Sequence, residues 1–213
     1  MNDSLCSIWN SHTRVKTSAL IIPDGCRDII MKRIDGEQPY CFVSPLFDHT
    51  ETIVIEENTS LIGFRMKPGV HISEKELLKA VTKKSCQTED IHSLLDDFTN
   101  INHATEEALN CLSNHVNSVK QAATTLGVST RTLQRLIYNN TDRTPNYWFQ
   151  LARARRTARD LCKPIPLVNI AETHGFSDQS HMSREIKRWF SISPSEIINR
   201  PDMVRQLTDE GYN

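Results

Sequence analysis

Short apolar runs separated by turn residues occupy residues 17–71, and apolar residues spaced three or four apart take over from residue 73. The runs "SALIIP", "RDIIMKR", "YCFVS", "TIVIEE" and "SLIGFRM" predict five strands. Between and after them stand Pro23-Asp24-Gly25, Asp35-Gly36, Glu57-Asn58 and Lys67-Pro68-Gly69, each a turn signal. Ser73 with Glu76 reads as a capping box opening a helix through Leu77, Leu78 and Val81. A second helix opens at Thr88, with Ile91, Leu94, Leu95 and Phe98 facing inward, and a third covers Ala104–Cys111. The pattern predicts a boundary near 100–115.

Beyond it the chain repeats itself. "AATTLGVS" (122–129) lies over "IAETHGFS" (170–177) at an offset of 48, and the match continues at 49 past the turn. Each copy ends a short helix, places a Gly where a positive-φ cap is needed, and follows with an apolar residue and a Ser. Leu133 then pairs with Met182, Arg135 with Arg184, Ile137 with Ile186, and Thr144-Pro145 with Ser193-Pro194. Helix, Gly-containing turn and second helix make a helix-turn-helix, whose second helix reads base edges in the major groove. In the first copy Leu133, Leu136 and Ile137 take the core side, leaving Arg131, Gln134 and Arg135 outside. In the second, Met182, Ile186, Trp189 and Phe190 form the stripe, leaving Gln179, Ser180, Ser183, Arg184, Lys187 and Arg188. Arg matches guanine and Gln matches adenine because their planar forks fit the groove's donors and acceptors. Between the copies, "TPNYWFQLARARRTARDLCKP" predicts a helix from Pro145 to a stop at Pro164. Its inward face carries Trp148, Leu151, Ala154, Ala158 and Leu161, and Arg155 and Arg156 are expected among its phosphate contacts.

Charge sharpens the division. The net charge is only −1, but residues 1–115 hold 11 Lys/Arg against 17 Asp/Glu and residues 116–200 hold 13 against 6. A basic C-terminal module beside an acidic N-terminal one suits a polyanionic partner of the former. The chain shows no export signal pattern and no apolar run long enough to span a bilayer, so a cytoplasmic location and no membrane contact are expected. Six cysteines at 6, 26, 41, 86, 111 and 162 form no CxxC pair and read as reduced structural thiols. His12, His49 and His71 lack metal-ligand spacing, so neither metal nor cofactor is expected.

Residues 116–200 resemble the AraC/XylS DNA-binding domain, in which two helix-turn-helix motifs are joined by a long helix. The resemblance is carried by "VKQAATTLGVSTRTLQRLI", "RARRTARDL" and "IPLVNIAETHGFSDQSHMSREIKRWFSISPSEI". By position it implicates Arg131, Gln134 and Arg135 in the first half, and Gln179, Ser180 and Arg184 in the second. His181 departs from it at a small polar position, and "LIYNNTDRTP" replaces a commoner Phe-containing helix end. "LIIPDGCRDIIM" and "GFRMKPGV" are similar to the N-terminal domain of a subset of these regulators, which implies a small, half-cupin-like β domain. From the residues themselves, Arg65 is expected to pair with Asp24 or Asp28 rather than to bind an anion, and Cys26 to be an inert turn thiol rather than a sensor.

The expected fold class is α+β: a β-rich, half-cupin-like sensor region at 1–72, a helical connector at 73–114, an all-α DNA-binding domain with two helix-turn-helix motifs joined by a long helix at 115–200 and a tail at 201–213. The expected function is sequence-specific, non-enzymatic transcription regulation on double-stranded DNA. A small-molecule effector and RNA polymerase are further candidate partners, and monomer and homodimer both stay open. The competing readings are a DNA-repair methyltransferase carrying the same module, which would need clustered cysteines, and a non-specific nucleic-acid-binding protein.

Overall fold

The computed structural model describes residues 4–83, 88–114 and 116–212; Cys86 lies outside them. The architecture is α+β, with a β-rich N-terminal region and an all-α C-terminal one. Strands β1 (Leu5–Thr13), β6 (Thr59–Met66), β3 (Arg27–Ile34) and β4 (Tyr40–Val43) form an antiparallel sheet in the order β1-β6-β3-β4. β2 (Thr17–Ile21) and β5 (Glu51–Ile55) pair separately, and β7 (His71–Ile72) pairs with β8 (Thr99–Asn100). Ile29, Met31, Phe64 and Met66 bury one sheet face against Leu77 and Val81 of α1 (Glu74–Lys83) and Ile91, Leu94 and Leu95 of α2 (Thr88–Phe98). The five expected strands are present. β1 was not anticipated, because as an edge strand it shows no regular alternation of apolar residues. Its Trp9 lies over Gly63 of β6, where even a Cβ would stand 2.1 Å from the indole.

Helices α3 (His103–Asn114), α4 (Val119–Thr125), α5 (Thr130–Thr141), α6 (Pro145–Leu161), α7 (Leu167–Thr173), α8 (Gln179–Phe190), α9 (Pro194–Ile197) and α10 (Pro201–Thr208) build the second core. α6 is its axis and packs against all the others. Thr144 caps it by accepting the Tyr147 N–H, and Pro145 occupies its first turn. α3, from the stretch read as a connector, contributes Ala108, Leu109 and Leu112 to this core. α10, from the stretch read as a tail, contributes Met203 and Leu207, and Tyr212 follows them inward.

The two regions are clasped at the turn after β2. Ile22 belongs to the helical core. Gln206 of α10 donates to the Leu20 carbonyl (2.8 Å) and accepts the Ile22 N–H (3.2 Å). Tyr212 donates its N–H to the Asp24 carbonyl (2.7 Å) and its hydroxyl to the Leu109 carbonyl (2.8 Å). Arg155 of α6 is 0% exposed and donates to the carbonyls of Pro23 (3.1 Å) and Gln206 (3.4 Å). Below the turn, Arg65 meets both predicted carboxylates, Asp24 at 3.2 Å and Asp28 at 3.3 Å. Asp24 also accepts the Cys26 N–H at 2.9 Å. Burial pushes the Cys26 thiol well above the ordinary range, as an inert turn thiol requires. A second contact joins loop 44–50 to the helices: Thr50 donates its N–H to the Trp189 carbonyl (3.0 Å), and the Tyr147 hydroxyl donates to the Phe47 carbonyl (3.2 Å).

Gly25 sits at φ +76°, and a Cβ there would lie 2.6 Å from Cβ of Tyr212 and 3.0 Å from the Trp148 ring. Gly25→Ala is therefore expected to lower stability by about 1–3 kcal/mol through strain and overpacking. Arg155→Ala should cost a similar amount, about 1–3 kcal/mol, by leaving the Pro23 carbonyl buried without this donor. Denaturant unfolding of the full chain measures both, and a midpoint unchanged by either substitution would contradict the clasp.

Candidate nucleic-acid interface

Both turn motifs are set by local chemistry. Ser118 caps α4 by accepting the Gln121 N–H, and Gly127 at φ +67° turns the chain at its end. Ser129 then caps α5 by accepting the Thr132 N–H at 3.1 Å. In the second copy Gly175 at φ +69° makes the same turn, but the cap is Asp178, which accepts the His181 N–H at 2.7 Å. Asp178 lies 49 residues after Ser129, so the extra residue in the second copy is absorbed between turn and cap. The hydrogen bond from His181 holds the Asp178 carboxyl below its usual range. His181, the departure from the family pattern, also stands edge-on to Phe176 (5.4 Å between ring centroids) and 3.2 Å from the Ser177 hydroxyl. It braces the turn. Arg153 completes this brace, with its guanidinium 4.4 Å from the Phe176 centroid.

The recognition faces follow from packing. On α5, Leu133 and Ile137 are buried and Leu136 packs beside them. Arg131, Gln134 and Arg135 are exposed, and among the described residues none of them has a hydrogen-bond or ion-pair partner. On α8, Met182, Ile186, Trp189 and Phe190 are buried, while Gln179, Ser180, Arg184 and Lys187 are exposed. Two side chains on that helix are already engaged. Ser183 turns its hydroxyl back to the Gln179 carbonyl (2.9 Å). Arg188 donates to Gln150 (2.8 Å) and Glu185 (3.0 Å) and lies over Trp189, at the helix end next to Asp48 and His49.

The arginines of α6 correct the sequence expectation. Arg155 is buried in the clasp and offers no atom to a phosphate. It stands four residues after Leu151 and three before Ala158, so helical spacing puts it on the inward face; that signal was present and outweighed by the residue's charge. Arg156 is half-buried in a cleft lined by α6, α10 and His174 just beyond α7, to which neither α5 nor α8 contributes. Arg155 therefore drops out of the DNA face, and Arg156 points into this cleft instead of standing beside α5 or α8. The physical reason is that α6 is surrounded: neighbouring helices cover its sides and bury Arg155 completely. With 17 residues it spans about 25 Å at 1.5 Å per residue and holds the two motifs apart.

Known proteins share similarity with this chain, mainly over its helical part. The family model described as "Helix-turn-helix domain" matches residues 122–200. A probable thc operon regulatory protein of Rhodococcus erythropolis is 32% identical over 85 residues, which are 38% of this chain and 26% of that protein. The chain thus matches about a quarter of that relative's length. Among solved structures, a transcriptional regulator with an AraC-type DNA-binding domain from Chromobacterium violaceum is 26% identical, over 45% of this chain and 89% of that one, with a TM-score of 0.42. The C-terminal domain of the response regulator AraT from Geobacillus stearothermophilus is 21% identical, over 53% and 96%, with a TM-score of 0.44. Among the described residues no helix is long and apolar enough to cross a membrane. The paired turn motifs, the axial helix between them and the match over residues 122–200 make the C-terminal region of this chain a helix-turn-helix domain.

Proposed function

We propose that the chain is a sequence-specific transcription regulator that reads two neighbouring major-groove segments of double-stranded DNA with α5 and α8. The observation that carries this reading is the duplicated free polar face. Arg131, Gln134 and Arg135 on one helix, and Gln179, Ser180 and Arg184 on the other, are exposed beside a buried stripe. Exposed planar side chains near a recognition helix's start are the groups that pair with base edges. Lys187, also exposed and three residues beyond Arg184, serves as a phosphate contact. Ser183 and Arg188 play a lesser part, because their polar atoms are already held by Gln179, Gln150 and Glu185.

The working unit in this proposal runs from α3 to α10, since both helices complete the core around α6. The β-rich region joins it through the clasp and carries the acidic balance. A small-molecule effector and contact with RNA polymerase belong to the same proposal and rest on the regulator reading alone.

Selection of a binding site from a random DNA pool, followed by titration of variants, tests the proposal. Arg135→Ala and Arg184→Ala are each expected to lose about 1–3 kcal/mol on the selected site and to relax preference at particular base positions. Lys187→Ala should weaken binding to all sequences alike and lower the salt slope by about one. A full chain that binds random and selected DNA equally would instead indicate a non-specific binder.

A further inference from the structure

The C-terminal end of α6 with Lys163 after it, His174 just beyond α7, and α10 line an open cleft of about 540 Å³. Its basic wall comes from Arg156 and Arg159, three residues apart on α6 and therefore on one side of that helix. Val204 and Leu207 of α10 line it with apolar surface. Asp160 lies between these groups but is already committed. One of its oxygens meets Lys163 Nζ at 2.7 Å and the other meets His174 Nε2 at 2.8 Å. Partial burial opposes the charge on Asp160, yet Lys163 and His174 outweigh it and hold the carboxyl below its usual range.

That arrangement leaves the two arginines unanswered. Among the described residues neither Arg156 nor Arg159 makes a hydrogen bond or an ion pair, and both are partly buried. Burial pulls both guanidiniums below the ordinary arginine range, and each of the neighbouring arginines adds to this on Arg156. Two adjacent, partly desolvated cations are a cost unless something anionic meets them. The apolar wall opposite says what the rest of that partner is. A cleft of this size lies within the range of small-molecule sites, where a few polar groups fix a largely apolar ligand.

We propose that this cleft binds a small organic anion, with one carboxylate held by Arg156 and Arg159 and an apolar body laid on Val204 and Leu207. Two guanidinium forks match the oxygens of a carboxylate, and Asp160 beside them disfavours a second negative charge on the ligand. The site deepens the effector part of the regulator reading, though ligand binding itself needs no DNA. It also reaches the clasp. α10 carries Gln206, which bonds to Leu20 and Ile22 of the β-rich region, so an occupant that holds α10 to α6 also holds the link between the two regions.

Calorimetric titration of the full chain without DNA tests the site, using octanoate, octanol and inorganic phosphate as probes. Octanoate should bind saturably at one site, with octanol and phosphate each much weaker because each supplies half of the recognition. The double variant Arg156→Gln/Arg159→Gln should bind octanoate at least about tenfold more weakly, as expected for losing charge-assisted hydrogen bonds. Its affinity and salt slope for the selected DNA should match those of the parent. If that variant fails to fold, Arg156→Lys/Arg159→Lys keeps the charges and removes the forks, and should also weaken octanoate. Absence of octanoate binding, or binding undiminished in the variant that folds, overturns the proposal. So does a lowered DNA salt slope in the glutamine variant, which would assign the arginines to DNA phosphate. Failure of DNA selectivity in the parent chain would sink the regulator reading and leave the anion titration unaffected.

Discussion

Burial of Arg155 is the constraint around which the two regions are arranged. A guanidinium cannot be deprotonated to escape a dry environment, so the surroundings must supply acceptors. They come from opposite ends of the chain: the Pro23 carbonyl from the turn after β2 and the Gln206 carbonyl from α10. Meeting that demand brings the Pro23-Asp24-Gly25 turn onto α6, and Gly25 is the residue that lets the turn approach Trp148 and Tyr212 so closely. Asp24, held by Arg65 from the sheet side, adds negative potential next to Arg155. The same turn therefore both follows strand β2 and forms a wall of the helical core.

The clasp is the physical link through which the β-rich region meets the helical core. α6 fixes the separation of α5 and α8, the helices proposed to read DNA, and the β-rich region grips α6 near its middle. The loop at 44–50 adds a second grip at the end of α8, through the Trp189 carbonyl. Any change in how the β-rich region sits on these two points acts on the elements that set the reading geometry. Allosteric control requires two sites and an element biased by both. The axial helix is the element that touches the clasp, the turn motifs and the cationic cleft.

The second turn motif shows how a repeat is kept while its chemistry diverges. Shifting the cap from a Ser to Asp178 one residue later preserves the start of α8, because an Asp side chain accepts the same backbone N–H as a Ser. His181 and Arg153 then both pack against Phe176, so the turn is held by aromatic and cationic contacts as well as by backbone geometry. Among the described residues the first motif shows no such brace, and its turn rests on Gly127 and the Ser129 cap.

Local information determined much of this protein from the sequence by itself. Turn residues and apolar runs marked five of the strands, caps and prolines marked the helices, and the repeat separated buried stripes on α5 and α8 from their polar faces. These features depend on neighbours within a few residues, which is why they are legible without the fold. The pairing of Arg65 with Asp24 or Asp28 was legible too, because a buried-edge cation near two carboxylates has few alternatives. Only the tertiary structure decided what covers each outward face. It showed β1 as the edge partner of β6, drew α3 and α10 into the helical core, buried Arg155, enclosed Arg156 in a cleft and engaged Arg188 with Gln150 and Glu185. Periodicity reports that a helix has an inside, but a central helix has several. Which distant segment supplies the acceptors for a charged side chain is settled by long-range packing that no local spacing encodes.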